Sequence, residues 1–312
     1  MGTKTGHFYS YCIEIQDNKF KKVLLRHFTS GNKYPTFAIL SNMSLNKLIL
    51  FIAITATVSG CSKYQKSLKN PDPNKKLEMA QYYYNKKDYY RAATLFEQLQ
   101  DNFSGTTQAE KIMYYSAYCN YALKNYALAG FQFKAYFENF PTGEWAEESF
   151  YMSAYCQYLE SQPVYLDQTD TFKAIESIKL FVNVYPDSKY IPECNNILDK
   201  LRGKLSQKAY NNAKLYFDIS EYKSAIVAIE NILRDYPEIA QHEELEYLLV
   251  KSHFLLAENS VEEKKLERYT NTLAAFEEFA ANNRESKYMA ELNTIVAKSQ
   301  KEQAKIKNQL NP

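Results

Sequence analysis

From Asn74 to about residue 309, apolar residues recur at the spacing of one helix face. A small residue is followed by larger, mostly apolar residues four and seven positions later, and this triplet occurs five times. The small residues are Ala92, Ala129, Ala174, Ala225 and Thr272. Residues at i, i+4 and i+7 lie on one side of an α-helix. The pattern therefore predicts five helices that each bury one face.

A second small residue precedes each of these and predicts a partner helix. It lies twelve positions earlier in three repeats and twenty positions earlier in the other two. These residues are Ala80, Ala117, Ala154, Ala213 and Ser252. The longer intervals imply eight-residue insertions, visible as SQPVYLDQTD (161–170) and ENSVEEKKLE (258–267). We therefore predict two helices per repeat that cross at small residues.

The repeats end in related segments, DNFSG, ENFPTG, NVYPDSKY, RDYPEI and NNRESKY. Proline ends a unit because it cannot continue a helix. Paired helices, small residues at their crossing and a closing proline resemble the tetratricopeptide repeat. Unit lengths of 37, 45, 51 and 47 residues exceed the usual length of about 34, which suggests lengthened helices and loops.

The predicted fold class is all-α, a tetratricopeptide-like solenoid of helical hairpins with about five repeats and a C-terminal helix. The predicted repeats are 74–104, 105–141, 142–186, 187–237 and 238–283, followed by a C-terminal helix and tail at 284–312. A solenoid of this kind needs a terminal cap, and the polar end of the last segment is suited to that position.

A short apolar run, Leu48 to Gly60, ends at Cys61. The run is too short for a spanning helix, which needs roughly 20 residues, but has the length of a signal-peptide core. Val58-Ser59-Gly60-Cys61 resembles the lipobox of bacterial lipoproteins, in which the cysteine thiol receives a diacylglycerol. We therefore predict a signal peptide at 43–60 and lipidation at Cys61. The alternative is an apolar core helix ending in an ordinary cysteine.

The flanking segments fit this interpretation. Residues 1–42 show no clear periodicity and precede Met43, so we interpret them as an over-extended start outside the folded protein. Residues 61–73 are polar, contain proline and are predicted to be a tether. Ser62 stands where, in the lipoproteins that this segment resembles, an aspartate would favour inner-membrane retention.

Charge and composition exclude several classes. Residues 61–312 hold 31 Lys and Arg against 34 Asp and Glu, so no basic surface for nucleic acid is expected. The chain has 8 Gly and 9 Pro among 312 residues, which disfavours an all-β fold with many tight turns. Beyond Cys61 the cysteines are Cys119, Cys156 and Cys194, an odd number that we expect to be buried thiols.

No enzyme motif is found. His242 has no second histidine four residues later, so it does not form a zinc-protease helix, and glycine-rich phosphate loops and G-x-S-x-G elbows are missing. We expect no catalytic residue, no metal site and no cofactor.

Tyrosines supply the candidate binding residues. In tetratricopeptide repeats the first helix of each unit lines a concave groove, at positions −3, +1 and +4 from its small residue. Those positions hold Tyr84, Tyr114, Tyr118, Tyr121, Tyr151, Tyr155 and Tyr158. Tyrosine combines a rigid ring with a hydroxyl and suits an extended, aromatic-rich peptide. The alternative is that these rings only pack against neighbouring helices.

A lipobox followed directly by about five long tetratricopeptide-like units resembles the BamD family, over roughly Cys61 to Lys301. The resemblance implies a non-enzymatic scaffold, anchored by acyl chains to the periplasmic face of the outer membrane. It also implies two kinds of partner. The N-terminal repeats would receive unfolded outer membrane proteins, and the C-terminal repeats would dock a central BamA-like barrel subunit.

Two other functions remain open from the sequence. One is a different tetratricopeptide lipoprotein that acts as a cell-envelope scaffold. The other is a glycan-binding lipoprotein of nutrient uptake, against which the single Trp145 and the modest length argue.

Overall fold

The computed structural model describes residues 63–310. The predicted leader 43–60, the segment 1–42 and Cys61 lie outside the described residues. The chain divides into two compact units, residues 1–69 and 70–312. Of the first unit the structure describes only residues 63–69, of which 63–68 are helical. The range 61–73, predicted as a tether, thus contains a helical segment and also Pro73, the first residue of the next helix.

The second unit is built from eleven α-helices and one 3₁₀ turn (Asp101–Phe103), and residues 63–310 contain no β-strand. The helices are α1 Pro73–Asn85, α2 Tyr89–Glu97, α3 Thr107–Ala122, α4 Tyr126–Asn139, α5 Ala146–Glu160, α6 Thr169–Val184, α7 Ile191–Asp218, α8 Tyr222–Asp235, α9 His242–Glu258, α10 Glu262–Asn282 and α11 Met289–Leu310. None of the helices in the described part of the chain combines the length and apolar character required to cross a bilayer.

Each helix packs mainly on the helices before and after it in the chain. This makes five antiparallel hairpins, α1–α2 to α9–α10, with α11 packed against α10 and α9 at the end of the stack. The predicted all-α solenoid of about five repeats with a C-terminal helix is confirmed.

The small residues lie where the helices come closest. Every residue of the two predicted rows is at most 1 % exposed: Ala80, Ala117, Ala154, Ala213 and Ser252 in the first helices, and Ala92, Ala129, Ala174, Ala225 and Thr272 in the second. A small side chain at a crossing lets two helix backbones approach closely. The spacing of small residues in the sequence therefore marks the points where the helices cross. Large residues at the next positions of the same face, such as Phe96, Phe133 and Ile178, are fully buried.

The interior forms two large hydrophobic clusters, and α7 contributes to both. Cys194, Ile197 and Leu201 at its start belong to a cluster that extends back to Tyr114. Ala213, near its end, belongs to a second cluster that extends to Ile306. The 28 residues of α7 account for the long fourth repeat, since a lengthened helix rather than a loop takes up the additional residues.

The two predicted insertions differ in structure. Residues 161–168 form a loop between α5 and α6, because Pro163 and its neighbours interrupt the helix. The second insertion is mostly helical, since α10 already begins at Glu262 and runs for 21 residues. Its EEKKLE segment consists of strong helix formers, so the helix extends backwards and only 259–261 remain as a turn.

Three hairpin turns share one backbone motif. Lys87, Lys124 and Ser220 have φ values of 59°, 63° and 65°. In the second of these turns, the Lys124 and Asn125 N–H groups donate to the carbonyls of Tyr121 and Asn120, both at 2.9 Å. This left-handed residue with paired backbone bonds is the Schellman ending of a helix, which turns the chain sharply into the next one.

Candidate functional site

The candidate site is built on the first helices of three successive hairpins. In α3, Tyr114, Tyr118 and Tyr121 follow the i, i+4, i+7 spacing and share one helix face. In α5, Tyr151, Tyr155 and Tyr158 repeat this spacing. One further ring, Tyr84, lies near the end of α1.

The structure brings all seven rings into one connected cluster, which we call the tyrosine strip. Tyr84 contacts Tyr118 with 6.0 Å between ring centroids, and Tyr121 contacts Tyr155 at 6.3 Å, so the strip crosses from α1 to α3 and from α3 to α5. Within a helix the ring distances are 6.2 Å for Tyr114–Tyr118, 5.9 Å for Tyr118–Tyr121, 5.7 Å for Tyr151–Tyr155 and 5.8 Å for Tyr155–Tyr158.

The seven rings do not share one degree of burial. Tyr114 and Tyr151 are each only 7 % exposed and belong to the hydrophobic core. The other five, Tyr84, Tyr118, Tyr121, Tyr155 and Tyr158, are half-buried and keep part of their surface open. Packing against neighbouring residues, the alternative to a binding role, thus describes Tyr114 and Tyr151, whereas the other five rings keep part of their surface accessible.

Aromatic residues from the following loops hold the two buried rings in place. Trp145 stacks on Tyr114 with centroids 4.8 Å apart and 20° between the planes. Tyr190 stacks on Tyr151 at 4.1 Å and 5°. Each stacking residue immediately precedes the first helix of the next hairpin, so one hairpin fixes the side chains of the previous one.

Five of the seven strip tyrosines have hydroxyl groups whose pKa is raised, so these hydroxyls stay neutral at ordinary pH. Burial raises the pKa of the Tyr84, Tyr114 and Tyr151 hydroxyls well above the usual value, and it also raises the pKa of Tyr121 and Tyr155. For Tyr114 the nearby carboxylate of Glu148, which accepts its hydrogen bond, adds to this effect. The rings therefore present apolar faces and neutral hydroxyl groups.

Trp145 and Tyr190 were not among the sequence candidates, although the sequence carries a signal for them. Both lie five positions after the aromatic residue that closes the preceding repeat, and Tyr288 occupies the same position after Asn283. Tyr288 also stacks on a first-helix tyrosine, Tyr247, at 4.0 Å and 12°. The shared S-K-Y sequence at two of these sites has a structural basis, since Ser188 and Ser286 accept a hydrogen bond from the backbone N–H of the tyrosine.

The fourth hairpin carries charges on the corresponding face. Its residues are Tyr210, Lys214 and Phe217. Burial, together with the hydrogen bond that the Tyr210 hydroxyl donates to Glu244, raises the pKa of Tyr210 to about 12. Lys214 lies 3.9 Å from the same carboxylate, and the Lys251 ammonium lies 5.7 Å from the Phe217 ring centre. The series of three tyrosines on each first helix therefore ends at the third hairpin.

The described cysteines confirm the expectation of buried thiols. Cys119, Cys156 and Cys194 are unpaired and at most 1 % exposed. Burial raises the pKa of the first two to about 12 and of the third to about 11. Within residues 63–310, no three His, Cys, Asp or Glu side chains are grouped to hold a metal ion.

Comparisons with known proteins indicate the family to which this chain belongs. The family model described as YfiO, outer membrane lipoprotein, matches residues 70–267. The comparison with curated proteins found no match.

Two solved structures illustrate the structural similarities. The TPR2AB domain complex of yeast Sti1 is 12 % identical, covers 73 % of this chain and 98 % of its own, and gives a TM-score of 0.34. A kinesin light chain-like repeat protein of Podosopora anserina is 12 % identical, covers 70 % of this chain and 100 % of its own, and gives a TM-score of 0.28. Because the family model spans well over half of the sequence, the chain belongs to the YfiO family of outer membrane lipoproteins.

Proposed function

We propose that this protein is a lipid-anchored scaffold subunit of the outer membrane β-barrel assembly machinery. It binds unfolded outer membrane proteins and a central BamA-like barrel subunit, and it catalyses no reaction. Family membership supports the lipoprotein character. The observation that carries the proposal is the tyrosine strip, a continuous series of aromatic rings that runs across three hairpins.

The dimensions of the strip suit an extended peptide. Along the accessible path from Tyr84 to Tyr158, successive ring centroids are 5.8 to 6.3 Å apart. In an extended strand, side chains on one face recur about every 6.6 Å. Alternate side chains of a bound peptide can therefore each meet one ring, and apolar or aromatic residues gain most from that contact.

The ligand expected from this spacing is a segment of a β-strand before it has paired. Barrel strands alternate apolar and polar side chains, so one face of such a segment offers an apolar residue at every second position. The neutral hydroxyls of the strip add hydrogen-bond donors at low entropic cost, because each tyrosine is already fixed by its neighbours.

The anchor is the acylated Cys61. Two or more acyl chains hold a protein stably on a membrane, whereas one chain binds only marginally. A tether between Cys61 and α1 keeps the strip close to the periplasmic face of the outer membrane and raises its local concentration for membrane partners.

The second half of the solenoid is the docking region for the barrel subunit. Its charged pairs include Lys214 with Glu244 and Lys251 with Glu291. A partner with complementary charges could meet these partly exposed groups, and such complementarity favours selective association and fast encounter. A solenoid offers separate surfaces along its length, so a client peptide and the barrel subunit bind at the same time.

Affinity purification of the full-length protein from solubilised outer membranes, followed by mass spectrometry, tests this function. We expect a barrel-forming subunit and immature barrel proteins among the recovered proteins. The matched control is Cys61→Ala, which is expected to lose palmitate labelling and recovery with the membrane. Recovery of cell-wall or division proteins alone, or of glycans, would instead support the envelope scaffold or the glycan-binding lipoprotein.

A further inference from the structure

A pocket of about 230 Å³ lies beside one end of the tyrosine strip, between α1, α2 and α3. Its apolar wall consists of the rings of Tyr84, Phe96 and Tyr115. The ring centroids of Tyr84 and Tyr115 are 4.7 Å apart, and Tyr115 stacks on Phe96 at 6.0 Å and 19°. Because Tyr84 belongs to both the strip and the pocket wall, the pocket adjoins the end of the accessible path of rings.

Three polar side chains complete the lining of this pocket. Gln81 and Asn85 are one turn apart on α1, and Lys111 lies on α3. Within residues 63–310 none of these three side chains forms a hydrogen bond or an ion pair with the protein. Their donor groups are therefore open to solvent or to a ligand.

The equivalent position in the next hairpin has an internal partner. Lys111 and Glu148 each lie six positions before the small residue of their helix. The Glu148 carboxylate accepts a hydrogen bond from Tyr114, which lies three positions before the small residue of the preceding first helix. For Lys111 the corresponding residue of α1 is Leu77, which has no polar side-chain group. The second hairpin thus leaves a cation without the internal partner that the third hairpin supplies.

The carboxylate next to Lys111 in the chain is already engaged elsewhere. Glu110 accepts hydrogen bonds from the Tyr136 hydroxyl and from the backbone N–H of Glu144. These contacts hold its carboxylate against α4 and the turn that follows α4. Glu78 of α1 does not line the pocket. The lining therefore contains one positive charge and no negative charge.

A carboxylate is the ligand group that this lining fits. An ammonium group attracts it, and carboxamide N–H groups donate hydrogen bonds to it. The aromatic wall accommodates an apolar group attached to the same residue. Pockets for drug-sized ligands have volumes of about 300–1,000 Å³. This smaller pocket suits one residue of a longer chain.

We propose that the pocket is a carboxylate subsite at the end of the tyrosine strip. It binds one acidic group of the client peptide with the apolar group beside it, and the rest of the peptide extends from Tyr84 towards Tyr158. The carboxylate comes from the C-terminus of the peptide or from an aspartate or glutamate side chain, which present the same group to Lys111. The subsite rests on the proposed function, because the strip holds the rest of the peptide.

Binding of three matched peptides tests the subsite. All carry a fluorescent label at the N-terminus and share one alternating apolar sequence without acidic residues. One ends in a free carboxylate, one in an amide, and one in an added aspartate whose own terminus is amidated. Fluorescence anisotropy measures their affinities for the full-length protein in detergent and for the variants Lys111→Met and Lys111→Arg. The matched control is Lys134→Met, which removes an exposed lysine of α4 outside the pocket.

We expect the parent protein to bind one or both acidic peptides about three- to fivefold more tightly than the amide, the upper range for an exposed ion pair. Lys111→Met should lose this preference, whereas Lys111→Arg and Lys134→Met should keep it. Added salt should reduce it. A preference for only one of the two acidic peptides supports the subsite and identifies the source of the carboxylate.

Equal binding of all three peptides by the parent protein overturns the subsite and leaves the strip intact. An equal loss of preference in Lys111→Met and Lys134→Met also overturns it, because the effect then comes from the overall charge of the protein. Absence of binding for every peptide contradicts the proposed function as well.

Discussion

The ring of Tyr190 lies flat on the ring of Tyr151, with centroids 4.1 Å apart and planes 5° apart. Tyr151 belongs to the third hairpin, and Tyr190 precedes the first helix of the fourth. The same relationship joins Tyr288 to Tyr247 two hairpins later. Stacking between successive units therefore couples their folding and keeps the first-helix tyrosines in one orientation.

Removal of a stacking ring should destabilise the fold. Tyr190→Ala and Tyr288→Ala are each expected to lower the free energy of unfolding by about 2 kcal/mol, because a largely packed aromatic ring is lost. Urea denaturation followed by circular dichroism measures this change. The matched control is Tyr165→Ala, whose ring is largely in solvent, and whose stability should stay within about 0.5 kcal/mol of the parent. Equal stability of all three variants would contradict the coupling.

The 161–168 loop should loosen when Lys204 is replaced. In Lys204→Met the carbonyls of Ser161 and Gln162 lose a charged donor, a bond worth about 1.5–3 kcal/mol. We expect faster proteolysis and hydrogen exchange within the loop, with little change in exchange at the centre of α3. Lys200→Met, one turn earlier and exposed, is the control. Similar exchange rates in the two variants would show that the ammonium does not hold the loop.

Alkaline pH should destabilise the protein through its buried thiols. Folding raises the pKa of Cys119 to about 12, so the unfolded chain releases this proton at lower pH than the folded chain. Stability is then full below about pH 9 and falls as the pH rises towards 12. We expect a loss of about 1.5 kcal/mol per thiol at pH 10.

The comparison of unfolding at pH 8 and pH 10 for the parent and Cys119→Ala isolates this effect. The variant should lose less stability than the parent between the two values. The buried hydroxyls of Tyr114 and Tyr151 shift in the same direction for reasons that do not involve Cys119, so their contributions cancel in the difference. An identical loss in both proteins would exclude the thiol as the cause.

Replacing the left-handed residue of a hairpin turn with glycine should stabilise the protein. Lys124 has a φ of 63°, a conformation that costs a residue with a Cβ about 1 kcal/mol and costs glycine nothing. Lys124→Gly is therefore expected to raise the free energy of unfolding by up to about 0.5 kcal/mol, which is what remains of that cost after the larger conformational entropy of unfolded glycine is subtracted. Lys124→Ala keeps the Cβ and should give no gain, and a gain as large as that of glycine would argue against backbone strain.

The sequence predicted those parts of the fold that depend on local spacing. The rows of small residues, from Ala80 to Thr272, are buried as expected because helix crossings recur at a fixed phase. Phe276 is only half-buried, unlike the equivalent large residues of the other second helices. Within the described residues only one helix, α11, follows its hairpin, so less of this face is covered.

The sequence did not predict contacts between units. A complete helix, α6, separates Tyr151 from Tyr190 in the chain. No local sequence pattern therefore predicts that their rings will stack. The burial of Tyr114 and Tyr151 follows from such contacts, whereas the spacing alone assigned all seven tyrosines the same position. The difference between the two insertions was also missed, because a loop and an extended helix add the same number of residues.

Binding of a barrel-derived peptide to the tyrosine strip is the most direct test of the central claim. The affinity of a fluorescent peptide from the last strand of an outer membrane barrel protein is measured for the parent and for Tyr118→Ala/Tyr155→Ala. The matched control is Tyr90→Ala/Tyr216→Ala, which removes two exposed tyrosines outside the strip. We expect binding at least about tenfold weaker for the first pair, unchanged binding for the control, and a folded solenoid in both. Unchanged affinity in the strip variant would contradict the account.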